Sequence, residues 1–355
     1  MYNPPPATMA ATMKKWISEV GSLRCVAILA VIAIHTTANF IQIDTMNGLL
    51  ISNLVIDVFS HFAVPLFVFI SGYVLSSKYQ HVTTTYYTKR IKSIILPYVV
   101  FSSFYLFCST FYHAKLPSDA IYNLLTGGYG FLWFLLMILQ LYLIYPFLII
   151  KATKSLYLGS ALVVQLIWGA FGSMIITSAP VFRLVFLSYI FYFVFGIYAQ
   201  RHPIKLRSSY LILIPTLTAI SSYSLISRII EYGGYDNIPD GMFLPIDVII
   251  NTALFTLTVI VLYNILFSVK LPNVLLLIGR YSFGIYLIHA FVMDVIGLLL
   301  KKASITPLQW QFYPIMFSCT LIFSFGLTWI MWNLPIISSI IGAKTLPTPG
   351  DEPAQ

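Results

Sequence analysis

The chain has 355 residues, 59% of them hydrophobic and only 9% charged, with a formal net charge of +9 and a mean hydropathy of +0.88. A soluble domain carries about 25% charged residues, so a soluble globular protein is excluded. The positive charge sits at the ends of apolar runs and reads as membrane topology and headgroup contact, not as nucleic-acid binding.

Apolar runs of about 20 residues, the length that crosses the hydrocarbon core, recur from end to end. Such runs must be helices, because every backbone polar group in lipid needs an internal partner. In chain order the expected parts are a Pro-rich cytoplasmic N-terminal segment over 1–19, one integral-membrane domain over 20–341, and a short disordered cytoplasmic tail over 342–355. The first apolar run is too long for a cleaved signal and is read as a retained helix. Ten spans are placed at 20–41, 50–77, 91–112, 129–150, 156–177, 180–200, 208–227, 244–268, 273–300 and 311–341, the last bending near Pro335. With the N-terminus inside, the outer side holds Lys115, Arg183, Arg228, Lys301 and Lys302, and the other fifteen of the 20 Lys and Arg fall inside. The expected fold is therefore all-α and polytopic, with about ten transmembrane helices, N-in and C-in.

The first span carries Arg24 and His35. Eleven residues at about 100° each return nearly to the starting direction, roughly 16 Å further along the axis. Ionisable groups in a span are costly and face a polar interior or a site, so this stripe suggests a path for a polar, anionic molecule. His35 reads first as a general base toward an attacking hydroxyl, with a hydrogen-bonded packing histidine as the alternative. On span 2, Asp57 and His61 face the same way at i and i+4. Asp57 lies near the depth of His35 and either orients an imidazole, as in hydrolase triads, or pairs locally with His61. The same span ends in Ser71 and Gly72. Ser71 could bond a ligand or its own helix carbonyl, and Gly72 permits close backbone approach. Arg90 and Lys92 follow just inside, and with Arg24 and Arg280 they could form a cation cluster suited to a phosphorylated ligand, or snorkel to lipid headgroups. The outer loops 112–128 and 228–243 combine acidic and aromatic residues suited to sugars, or are ordinary solvated loops. His289 in span 9 is expected at the depth of His35, so the two histidines could bracket one reaction centre. The cysteines Cys25, Cys108 and Cys319 all fall inside spans and read as packing residues, and no metal site is expected.

The ordered set of motifs resembles the acyltransferase-3 family of bacterial multi-pass membrane O-acyltransferases, which includes polysaccharide O-acetyltransferases and the related intercellular-adhesion C-type proteins. Arg24 and His35 match its Arg-x10-His. Val64 to Tyr73 match its V-P-L-F-F-x-x-S-G-Y element, with Val68 in place of the second Phe. The basic stretch ahead of Leu96-Pro97-Tyr98 matches its approach to span 3, Leu132 to Leu135 its L-W-F-L, and Ser282 to His289 its S-F-x-I-Y-L-x-H. Many members carry Arg-x-x-Arg before span 3, whereas here Ser93 follows Arg90, with Lys92 beside it. The expectation is the standalone form, in which no hydrolase-like domain follows the last span.

The resemblance implies acetyl-CoA or another acyl-CoA from the cytoplasm as donor and a hydroxyl of an envelope polysaccharide or lipid-linked saccharide as acceptor. Residues and resemblance together give His35, Asp57 and His289 as catalytic candidates, and Arg24, Ser71, Gly72, Arg90, Lys92 and Arg280 on the donor side. The expected location is the bacterial cytoplasmic membrane. Two other classes stay open: a glycan or lipid-linked saccharide exporter, and a structural partner in a synthase complex. The intramembrane ionisable groups concentrate in spans 1, 2 and 9, which fits an enzyme better than a wide polar lumen. The oligomeric state, including a homo-oligomer, stays open.

Overall fold

The computed structural model describes residues 7–38, 48–79, 83–113, 117–128, 131–152, 154–176, 178–202, 206, 210–232, 245–269 and 271–341. The expected tail 342–355 and most of the acidic outer loop, including Tyr235, Asp236 and Asp240, lie outside the described residues. Every regular element described is helical: α1 Ala7–Ala38, α2 Gly48–Ser60, α3 Ala63–Lys78, α4 Thr84–His113, α5 Ala120–Thr126, α6 Trp133–Lys151, α7 Ser155–Ile175, α8 Ala179–Leu184, α9 Ile190–Arg201, α10 Tyr210–Glu231, α11 Pro245–Leu266, α12 Asn273–Lys302, α13 Phe312–Asn333 and α14 Pro335–Ile340. Among the described residues, nine stretches are long and apolar enough to cross a membrane. They coincide with nine of the ten expected spans.

Span 2 is one crossing of 31 residues made of two helices. α2 ends at Ser60, and α3 restarts with Pro65 in its first turn. Proline fits there because a first-turn residue needs no helical N–H partner. At the C-terminal end, α13 stops at Asn333, Leu334 is extended and Pro335 begins α14. The expected bend falls there.

The sixth span, expected as one helix over 180–200, is interrupted. α8 has six residues, a 3-10 turn covers Phe186–Ser188, and α9 has only 12 residues. Irregular backbone at membrane depth requires partners for the groups it frees, and neighbouring side chains supply them. Gln140 Nε2 donates to the Leu184 carbonyl at 2.8 Å and Gln165 Oε1 accepts from the Phe191 N–H at 3.0 Å. Trp168 Nε1 donates to Ser188 Oγ at 2.9 Å, and Ser188 Oγ lies 3.2 Å from the Phe182 carbonyl.

Two helix crossings order the bundle around the site. In the α3–α9 pair, a Cβ on Gly72 would stand 2.1 Å from the Phe193 carbonyl oxygen, and one on Gly196 would stand 2.1 Å from that of Phe69. In the α1–α12 pair, a Cβ on Gly279 would stand 2.0 Å from the Gly21 carbonyl oxygen. Small residues let helix backbones meet where lipid tails give no hydrophobic drive to associate. The second crossing places α12 alongside α1, and with it His289 alongside His35.

Candidate active site

His35 lies three residues before the end of α1. Its ring stacks on Phe131 with centroids 3.7 Å apart and planes 19° apart, and on His289 at 5.3 Å and 29°. The two histidines expected at one depth thus meet face to face. Phe131 has φ 64, a left-handed conformation uncommon for a residue with a Cβ. Its carbonyl accepts a hydrogen bond from the Tyr286 hydroxyl at 2.8 Å, which fixes the strained turn and presents the ring to His35.

His289 is fully buried. Its Nδ1 lies 2.6 Å from the Tyr286 carbonyl oxygen, one turn back on α12. A carbonyl only accepts, so Nδ1 carries the proton and Nε2 holds the lone pair. That Nε2 is buried and has no hydrogen-bond partner among the described residues. The backbone around it is held from α4: the Tyr105 hydroxyl donates to the Leu287 carbonyl at 2.9 Å and accepts from the Phe291 N–H at 3.3 Å. Tyr105 therefore grips both ends of the rung that encloses His289.

Asp57 is fully buried. Thr37 Oγ1 lies 3.2 Å from its Oδ1, and His61 Nδ1 lies 3.8 Å from its Oδ2 and 2.8 Å from its backbone carbonyl oxygen. The carboxylate therefore ties α2 to the turn of α1 that carries His35, with His61 as its imidazole neighbour. His61 in turn stacks on Phe255 of α11 at 5.9 Å.

Arg24, near the other end of the membrane-length stretch of α1, stands with cations of α3 and α4. The charges of Arg24 and Arg90 both act on Lys78 at the end of α3. Arg90 Nη2 donates to the Tyr79 hydroxyl at 2.8 Å, and its Nε is buried with no partner among the described residues. Tyrosines wall this end. The Tyr86 hydroxyl donates to the Tyr142 carbonyl at 2.9 Å, and the Tyr145 hydroxyl lies 2.6 Å from the Tyr79 carbonyl oxygen. Lys92 is exposed. Arg280 is also exposed and lies over the Trp332 ring at 5.5 Å, which draws it toward α13. Ser71 Oγ bonds its own helix at the Phe67 carbonyl, 2.9 Å away, and Gly72 is occupied by the α3–α9 crossing.

Sequence reasoning missed Phe131, Tyr286, Tyr105, Thr37 and Lys78 as neighbours of these groups. Tyr286 lies within the motif that ends in His289, and Lys78 closes span 2 at the level of Arg90, so both carried a signal. Phe131 and Tyr105 carried none, because a lone aromatic in an apolar run looks like any other packing residue.

No solved structure matches the chain. Proteins from Staphylococcus aureus strains MRSA252, MSSA476 and N315, each named "Probable poly-beta-1,6-N-acetyl-D-glucosamine export protein", are 25% identical to it over 310 residues, covering 79% of this chain and 84% of theirs. The acyltransferase-3 family model, described as an acyltransferase domain, matches residues 17–332. With a match of that extent on a bundle of membrane-length helices, the chain belongs to the acyltransferase-3 family of multi-pass membrane proteins.

Proposed function

We propose that this protein is a membrane O-acyltransferase that moves an acyl group, most simply acetyl, from cytoplasmic acyl-CoA to a hydroxyl of a cell-envelope glycan. The observation that carries the reading is the buried Nε2 of His289, which has no hydrogen-bond partner among the described residues and is held in one tautomer 5.3 Å, ring to ring, from His35. A bare imidazole nitrogen is the group that takes a proton from an attacking hydroxyl. In that step the acceptor oxygen forms a bond to the thioester carbonyl carbon, the carbon–sulfur bond breaks, and the departing thiolate ends with the proton that the imidazole took. Arg24, Lys78 and Arg90 offer charge for the CoA phosphates. Arg24 stands roughly 16 Å along α1 from His35, and an extended pantetheine arm bridges a gap of that size.

The printed names of the Staphylococcus relatives favour a second reading, export of a polysaccharide. Vesicles containing purified protein separate the two. Acetyl-labelled acetyl-CoA and a β-1,6-linked N-acetylglucosamine oligomer are supplied, and both ester label on the oligomer and its passage across the bilayer are measured. The acyltransferase reading expects labelled ester that disappears in His289→Ala. Passage of unmodified oligomer without acyl-CoA, unaffected by that substitution, overturns it in favour of export.

A further inference from the structure

The interrupted sixth span brings two amphipathic rings together next to the histidine pair. Trp133 opens α6 and Tyr189 immediately precedes α9. Their ring centroids are 6.1 Å apart, with planes 31° apart, and both residues are half-buried. Indole N–H and phenol O–H groups ordinarily find partners when they are drawn into a structure. Among the described residues, neither the Trp133 N–H nor the Tyr189 hydroxyl makes a hydrogen bond, although other polar groups of the same elbow do. Trp168 is bonded to Ser188, and Gln140 to the Leu184 carbonyl.

The two rings lie on the histidine side of the bundle. Trp133 meets Phe134 at 6.4 Å, Phe134 meets Tyr286 at 5.7 Å, and Tyr286 meets His289 at 6.0 Å. Arg183, on the short α8 that leads into the elbow, is close enough for its charge to act on both Tyr189 and His35. The cation end is remote: Tyr142, whose carbonyl takes the Tyr86 hydroxyl at that end, stands nine residues further along α6, roughly 14 Å away.

We propose that Trp133 and Tyr189 form the acceptor subsite, a platform on which one pyranose ring of the glycan stacks while the indole N–H and the phenol O–H bond its hydroxyls. A pyranose has an apolar C–H face and a polar rim, and a ring with an apolar body and a polar tip complements both. The inference rests on the acyltransferase reading, and it locates the acceptor at the broken sixth span instead of the long outer loops.

The test uses full-length protein in detergent micelles or vesicles, with acetyl-CoA as donor and a β-1,6-linked N-acetylglucosamine oligomer as the probe. Trp133→Phe and Tyr189→Phe keep a ring and remove the polar handle, and Trp133→Ala removes the ring. The KM for the oligomer should rise about two- to tenfold in each, most in Trp133→Ala, while the KM for acetyl-CoA stays unchanged. The oligomer should also alter the tryptophan fluorescence of the wild type, and Trp133→Phe, which keeps the other five of the six tryptophans, should lose that change. A wild-type oligomer KM in all three variants overturns the subsite and leaves the acyltransferase reading standing; the rings are then interfacial anchors of the aromatic belt. A Trp133-dependent fluorescence change in a wild type that transfers no acetyl group keeps the subsite and overturns the acyltransferase reading. Absence of any oligomer-dependent change in the wild type overturns the subsite.

Discussion

At the scale of residues, the two histidines have different surroundings. His289 is locked by its own helix, by Tyr286 through the Nδ1 bond and by Tyr105 through the backbone rung. His35 is oriented by stacking on Phe131. Replacing either by Ala should lower kcat for acyl transfer by about 10²–10⁴-fold, the usual loss when a general base is removed. Membrane insertion and the size-exclusion profile should stay unchanged. Transfer near the wild-type rate in a well-inserted His35→Ala and His289→Ala pair would make both structural. On the cation end, a hydrogen bond to a charged group contributes about 1.5–3 kcal/mol. Arg24→Ala or Arg90→Ala should therefore weaken CoA binding by roughly ten- to a hundredfold, measured by calorimetry, with the oligomer KM unaltered. Arg24→Lys should restore only part of the affinity, because an ammonium lacks the planar fork that grips phosphate. Equal CoA affinity in all three variants would place the donor elsewhere. Arg24 and His35 were legible as a pair because eleven residues bring a helix back to the same face. The bare Nε2 of His289 was not legible, because it depends on a turn of backbone and on a hydroxyl from α4.

At the scale of elements, two helix pairs carry the site. Gly72 and Gly196 meet the opposing backbone reciprocally, each where a methyl group would collide with a carbonyl oxygen that cannot move aside. Gly72→Ala and Gly196→Ala should each cost about 1–3 kcal/mol by forcing the helices apart, seen as a lower Tm in detergent. Gly326→Ala, where a Cβ meets nothing within 4 Å, should be neutral or stabilising by about 0.5–1 kcal/mol through the better helix propensity of alanine. A Gly72→Ala variant as stable as Gly326→Ala would show that the α3–α9 crossing is loose. The element scale is also where composition misled. Residues 180–200 are apolar enough to read as one helix, and Pro180 explains only where α8 begins. The break at Val185 is held by Gln140, Gln165 and Trp168, which come from two other helices. Ser71 and Gly72 show the converse: a motif that looked like a ligand cradle is taken up by a local hydroxyl–carbonyl bond and a helix crossing.

At the scale of the whole molecule, the membrane-length stretch of α1, Val20–Thr37, has Arg24 near one end and His35, stacked on His289 of α12, near the other. From the bias of Lys and Arg toward one set of loops we propose an orientation in which the cations face the cytoplasm, the side from which the proposed acyl-CoA donor would come. An impermeant maleimide tests this in intact cells of a cysteine-free background. Asp119→Cys, between α4 and α5, should label from outside, and Lys154→Cys, between α6 and α7, only after permeabilisation. The opposite pattern would invert the molecule and separate the cation end from its proposed donor.

The sequence by itself determined the class of molecule, the nine membrane-length helices found among the described residues, out of ten expected, and the residues worth testing. Span length and hydropathy are local properties that the bilayer reads directly, and helical period is set by the backbone alone. Tertiary structure decided the rest. It brought α1 and α12 together at Gly21 and Gly279 so that His35 and His289 stack. It gave Asp57 to Thr37 and His61, spent Gly72 on packing, and opened the sixth span beside Trp133 and Tyr189. Each of these depends on how helices rotate and cross. Lipid is as apolar as most of their surfaces, so hydropathy does not encode that rotation; close backbone contact and the partnering of buried polar groups do.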